Sequence, residues 1–357
     1  MTAAANTLVR RAFADRPLVA GIAVLLAATG LLAVLGCLTP FEPLLRGWLV
    51  AFAIAGSIPV GGMIWLLIHR LTGGEWGVVA APVLRPAAAM TPFLIAGFVP
   101  ILIGLHLIYP WAAHPTAIPA DVAGWYLNGV SFSLRGLVAL AGWSVLAVAF
   151  AAGLGSRLLA GLGLAFFGLS ISLVAVDWYL SLEPHYVATA FAAMIAIQQL
   201  LMALAVTALI GPPTIQGKVA GDIGALLIGT LLGVVYLGFM TFVVGWYGDL
   251  PDKAAWFLRR SSPGWISVLI TALLVGAVLP FAMLLMQRIR QSRQGLRIAA
   301  AAILFGTILH FVWLLAPAFD DPLPVIAAAC AGIVVLLLVS YLTGPTLARL
   351  LEAQDAE

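Results

Sequence analysis

The chain has 357 residues, with 17 Lys and Arg against 14 Asp and Glu for a formal net charge of +3, yet 63% of it is hydrophobic and only 9% charged. With a mean hydropathy of +1.13, such a composition excludes a water-soluble surface, and with it a soluble enzyme domain, a secreted disulfide scaffold and a nucleic-acid binder. A membrane helix takes roughly 20 apolar residues, and windows of that length follow one another between short polar breaks, so an all-α polytopic membrane protein is expected, a single integral membrane domain over 1–357.

Cuts at the charged or Pro/Gly-rich breaks place ten spans at about 17–38, 47–68, 93–111, 129–152, 157–180, 185–210, 222–247, 265–288, 297–316 and 324–346. An even number puts both termini on one side. That side collects Arg10, Arg11, Arg16, Arg70, Arg85, Arg157, Lys218, Arg288, Arg290, Arg293, Arg297 and Arg349, twelve basic residues, against five on the other: Arg46, Arg135, Lys253, Arg259 and Arg260. The asymmetry predicts cytoplasmic termini. Arg10 and Arg11 precede an apolar run ending Val34-Leu35-Gly36-Cys37, which has the outline of a lipoprotein signal. The run is long enough to span, whereas signal cores take roughly 7–15 residues, so a retained first helix is expected rather than processing at Cys37. Cys37 and Cys330 lack the C-x-x-C spacing of a zinc or iron-sulfur site and read as buried small residues.

Three connections exceed a tight turn: Thr72 to Thr91 on the terminal side, and Ala112 to Asn128 and Gly248 to Gly264 on the other. The last brings Trp246, Tyr247, Trp256 and Trp265 near the expected interface, where aromatic rings prefer to sit. It reads as an interfacial helix or as a contact for a neighbouring subunit. No connection can hold a soluble catalytic domain, so any chemistry occurs in the membrane or belongs to a partner.

Ionisable residues inside spans are costly unless paired or hydrated, and each is a functional candidate. Asp177 lies six residues before Glu183, roughly 9 Å below the end of its helix at 1.5 Å per residue. Arg135 enters the preceding helix from the same side to a similar depth, so the two can pair. His106 and His310 fall in the same third of the membrane. Beyond Asp177 the run Leu182-Glu183-Pro184-His185 reads as a sharp turn with Pro184 opening the next helix. On that helix His185, Thr189 and Gln199 share a face opposite Ser170 and Asp177, where they form either a hydrated polar ladder or interhelical packing glue. Single histidines on separate helices do not make a haem site. Pro59-Val60-Gly61-Gly62 and Pro100 are weak marks of the broken helices of a secondary transporter.

Four segments carry a resemblance: His69-Arg70-Leu71-Thr72-Gly73-Gly74-Glu75-Trp76-Gly77; Tyr126-Leu127-Asn128 with Arg135; Asp177-Trp178-Tyr179-Leu180-Ser181-Leu182-Glu183-Pro184-His185; and Trp246-Tyr247-Gly248-Asp249-Leu250-Pro251. Together they resemble the NrfD/PsrC-like membrane subunits, and among these the F subunit of bacterial alternative complex III, a quinol:cytochrome c oxidoreductase. The similarity runs from about Pro59 to Trp265. It implies two four-helix bundles, spans two to five and six to nine, with spans one and ten peripheral, in the bacterial inner membrane. It also implies a subunit with no redox cofactor of its own, beside an NrfD-like C subunit and partners that carry haem and iron-sulfur clusters. Its role would be quinone-proximal or proton-conducting.

The expected site is therefore Asp177, supported by Arg135 and His106, with Glu183 and His185 linking it to the outer face. No metal or other cofactor is expected on this chain, apart from quinone or quinol. Tyr186-Val187-Ala188 stands where the family more usually has two aromatics and a serine. That departure leaves a subunit attached to a terminal oxidase as an alternative, and the rival from another class is a stand-alone secondary transporter.

Overall fold

Apolar runs that cannot leave a backbone N–H or C=O unpaired in lipid must close their hydrogen bonds within the segment, and helices do so. The computed structural model describes residues 41–248 and 250–355, and among them nine helical stretches are long and apolar enough to cross a membrane. The first expected span, 17–38, and Cys37 lie outside the described residues. The chain is an all-α polytopic membrane protein.

The helices that matter for the site are α1 (Phe41–Thr72), α2 (Glu75–Ala89), α3 (Phe93–Ile103), α4 (Gly129–Ala151), α5 (Arg157–Trp178), α6 (Phe191–Ile210), α7 (Gly217–Tyr247), α8 (Pro251–Arg259), α9 (Pro263–Leu273), α10 (Leu279–Leu285), α11 (Arg293–Leu315) and α12 (Pro322–Asp355). Local chemistry sets several boundaries. The side chains of Asn128, Ser156 and Ser292 accept hydrogen bonds from the amides of Ser131, Leu159 and Gly295, satisfying first-turn donors of α4, α5 and α11. Arg85 donates to the carbonyl of Ala151 at the end of α4, and Arg297 and Arg293 donate to the carbonyls of Leu209 and Gly211 at the end of α6. These arginines complement the negative helix ends as well as marking one side of the membrane.

Helix α1 is the hub, touching α2, α4, α5, α6, α11 and α12. Without a hydrophobic drive between helices in lipid, small residues supply the fit. A Cβ at Gly61 would lie 2.0 Å from the Gln199 carbonyl oxygen of α6, and one at Gly47 would lie 2.5 Å from the Ala328 Cβ of α12. Indole N–H groups lock the contacts: Trp48 donates to the Gly97 carbonyl and Trp65 to that of Leu200, both at 2.8 Å. Between α9 and α10 the helix widens into a π-turn, Leu274–Val278, where Gly276 meets Gly306 of α11; a Cβ there would come within 2.3 Å of the Gly306 Cα.

Three expected elements shift. The connection from Thr72 to Thr91 is largely helical: α2 follows a two-glycine turn and continues with α3 as one apolar stretch, Glu75–Ile103, despite Pro82 and Pro86. The span expected at 93–111 therefore ends early, at Gly104, which packs against Leu45, and the chain beyond it makes only short helices, Leu105–Ile108 and Pro110–Ala113. Pro184 does not open α6 either. A 3-10 turn, Leu180–Leu182, and an irregular stretch precede the first helical residue, Phe191. The connection from Gly248 to Gly264 contains the short helix α8, but its Trp256 is buried against the body of the protein.

Candidate polar site at one end of the helices

Asp177 ends α5 and Arg135 stands one and a half turns into α4, two consecutive helices whose equal depths bring the groups together. Arg135 Nε lies 2.6 Å from Asp177 Oδ2 and Nη2 lies 3.1 Å from Oδ1, a side-on pair that satisfies both carboxylate oxygens. Asp177 is completely buried, while the Arg135 side chain is 18% exposed. The second Arg135 Nη2 bond goes to the Tyr126 carbonyl at 2.8 Å, and the Tyr126 ring covers the guanidinium at 4.0 Å. Burial, reinforced by the Asp177 charge, pushes the Tyr126 phenol up to about 12, so it stays a neutral donor.

The pair is flanked by an aromatic cluster. Trp178 packs on Phe98 at 4.9 Å, on Phe52 at 5.4 Å and on Trp143 at 6.3 Å, and Phe98 stacks on Phe132 at 6.0 Å. Ser170, placed by periodicity on the face of Asp177, accepts the Trp143 indole N–H at 2.9 Å and so serves this packing. Tyr109 and Trp111 brace the turn from outside, donating to the Trp178 carbonyl and the Ser181 hydroxyl, each at 3.0 Å.

Glu183 makes a second pair that periodicity did not indicate. Arg260, at the end of α8, is 2% exposed. It donates from Nη2 to Glu183 Oε2 at 2.5 Å and from Nη1 to Oε1 at 3.3 Å. It also donates to the carbonyls of Trp256 and Leu314, and its guanidinium lies 3.6 Å over the Trp256 ring. Desolvation lowers the Arg260 pKa, and the Glu183 carboxylate works against that. Tyr186 stacks on the other ring contact of this cluster, parallel to Trp256 at 4.4 Å, and burial pushes its phenol up to about 12. Arg259 approaches Glu183 more loosely, at 3.6 Å.

Two expected members of the site are elsewhere. His106 sits on the short helix beyond Gly104, exposed and without a hydrogen bond among the described residues, so it does not support the pair. His185 is exposed in the stretch before α6, as is Thr189, and neither shares a helical face with Gln199. The polar ladder down α6 is thus not formed by those residues. Instead Gln198, the neighbour of Gln199, bonds His310 Nδ1 of α11 at 3.1 Å. Among the described residues no three His, Cys, Asp or Glu side chains gather as a metal site.

The segments that carry the resemblance have definite structural tasks. Gly73 and Gly74 take φ of 71° and 105°, which side-chain-bearing residues rarely adopt, and let His69 bond the Gly74 carbonyl at 3.0 Å with Trp76 edge-on at 5.3 Å. No family model matches the chain, and no curated protein compared with it matches.

Proposed function

We propose that this chain is a membrane subunit, without its own redox centre, of a bacterial quinol-oxidising respiratory complex of the alternative complex III type. Its two four-helix groups lie in the inner membrane with the Glu183 turn facing outward. The observation that supports the reading is the employment of its landmark residues. Tyr126, Arg135 and Asp177, from two of the four segments, build one ion pair at one end of the helices, and Glu183 supplies the carboxylate of the other, to Arg260.

The aromatic cluster around Asp177 favours a quinone-proximal role over through-conduction at that acid, because Phe98 and Phe132 carry no group that passes a proton and the buried Trp178 N–H has no hydrogen-bond partner among the described residues to relay one. Arg135 and Tyr126 connect the pair to the outer side, where a quinol headgroup or a partner subunit would meet it.

Purification of the full chain under mild detergent tests the assignment. Co-purifying subunits with c-type haem and iron-sulfur clusters support it. A solitary chain that catalyses solute uptake in proteoliposomes overturns it in favour of a secondary transporter, and stoichiometric recovery with a terminal oxidase would assign it to that assembly instead.

A further inference from the structure

We infer that α6 and α11 are joined by a bound-water site at Gln198, His310 and Trp313, which extends the polar row that begins at Glu183. The inference is independent of the respiratory assignment. Gln198 is completely buried, and its side chain makes one hydrogen bond, from the amide nitrogen to His310 Nδ1 at 3.1 Å. Its Oε1 has no partner among the described residues. Reversing the amide exchanges an orphaned acceptor for an orphaned donor and does not remove the need.

His310 stacks on Trp313, one turn further along α11, with ring centroids 5.9 Å apart. The Trp313 indole N–H is buried and likewise has no partner among the described residues, and a rigid ring cannot turn to find one. Trp313 meets Trp256 edge-on at 5.6 Å, and the Arg260 guanidinium over Trp256 donates to the carbonyl of Leu314, the residue after Trp313. Arg260 Nε is a further buried donor without a partner among the described residues.

One contiguous row from Glu183 through Arg260 and Trp313 to His310 and Gln198 thus carries two fixed orphan donors and an orphan acceptor. Water is the ligand whose chemistry matches, because it accepts from one N–H while donating to the amide oxygen, and it needs only a few polar partners and little volume. The contrast with Trp143 is internal to the molecule: that indole is also buried, at 1% exposure against 7% for Trp313, but its N–H is satisfied by Ser170.

Brief X-ray radiolysis of the full chain in lipid nanodiscs is the test, since hydroxyl radicals formed from a bound water oxidise the rings beside it even where bulk water does not reach. Trp313 should be oxidised several-fold faster than Trp143 in the unaltered protein. In Gln198→Leu, which removes the acceptor but leaves Trp313 in place, the Trp313 rate should fall to that of Trp143. Equal rates for the two rings in the unaltered protein overturn the site, and this comparison stands even where the variant does not fold. A fast Trp313 rate unchanged by Gln198→Leu also overturns it, since that would reflect mere access of solvent to the ring.

Discussion

Arg135 grips Asp177 by both carboxylate oxygens, and the acid is completely buried beneath a guanidinium that keeps 18% exposure and is covered by the Tyr126 ring. Removing either member leaves the other charge unmatched in a poorly solvated place. Arg135→Leu should therefore destabilise the chain by about 3–5 kcal/mol, and Asp177→Asn by less, because an amide oxygen still accepts from the guanidinium. Replacing both by leucine should recover most of the stability, since the pair is then exchanged for apolar packing. Thermal unfolding in one detergent measures all three. Turnover of the assembled complex decides the role: a stable double variant with normal quinol oxidation would make the pair structural, and a stable but inactive one would place it in the reaction.

The Glu183–Arg260 pair is asymmetric in burial, and the asymmetry sets an order. Glu183→Leu strands a guanidinium that is 2% exposed, with only two carbonyls left to it. Arg260→Leu leaves Glu183 near Arg259 and partly exposed. The first variant should lose about 3–5 kcal/mol and the second clearly less, because the penalty lies in the buried unpaired charge. Equal losses would mean that the Trp256 cage, rather than the ion pair, stabilises this end.

How much was legible in the sequence follows from how local each signal is. The Arg135–Asp177 pair was readable because it depends only on depth along two consecutive helices. Arg260 was not: it is 77 residues from Glu183, and in a sequence it counts merely as one more basic loop residue. The one available hint was Glu183 itself, an acid in a tight turn beside an aromatic-rich connection with two arginines. The bond between Gln198 and His310, 112 residues apart, is hidden for another reason, although His310 itself stands out as an ionisable residue within a span. A helix opened by Pro184 puts His185, Thr189 and Gln199 on one face, whereas the helix begins at Phe191, which leaves His185 and Thr189 off it altogether. His106 was misplaced by reading Leu105–Ile108 as membrane-spanning, when Gly104 ends the span.

Close helix contacts should show a sharp contrast between glycines. Gly61→Ala drives a Cβ into the Gln199 backbone, and Gly306→Ala drives one into Gly276, neither of which can yield as a side-chain tip does. Each should cost about 1–3 kcal/mol as overpacking. Gly161 and Gly168 on α5 have open space instead, and alanine there should be neutral or stabilising by roughly 0.5–1 kcal/mol through helix propensity. Unfolding in detergent distinguishes the two classes, and a destabilising Gly168→Ala would indicate a partner helix seated on α5.

Orientation is the prediction on which the outward placement of both ion pairs depends. By the twelve-to-five distribution of basic residues, the Glu183 turn should lie outside and the His69 turn in the cytoplasm. The structure supplies positions where a probe perturbs little: His185 and Leu71 are both exposed, and His185 makes no hydrogen bond among the described residues. Cys330 is itself an exposed thiol, so the measurement needs Cys37 and Cys330 replaced by serine. On that background a membrane-impermeant maleimide should label His185→Cys in intact cells, and Leu71→Cys only after the membrane is opened. The reverse pattern would turn the molecule over, placing both ion pairs on the cytoplasmic side and excluding a site facing an external cytochrome partner. Labelling of both positions in intact cells would instead put an odd number of crossings between residues 71 and 185 in error, and with it the pairing of α4 and α5 from the outer side.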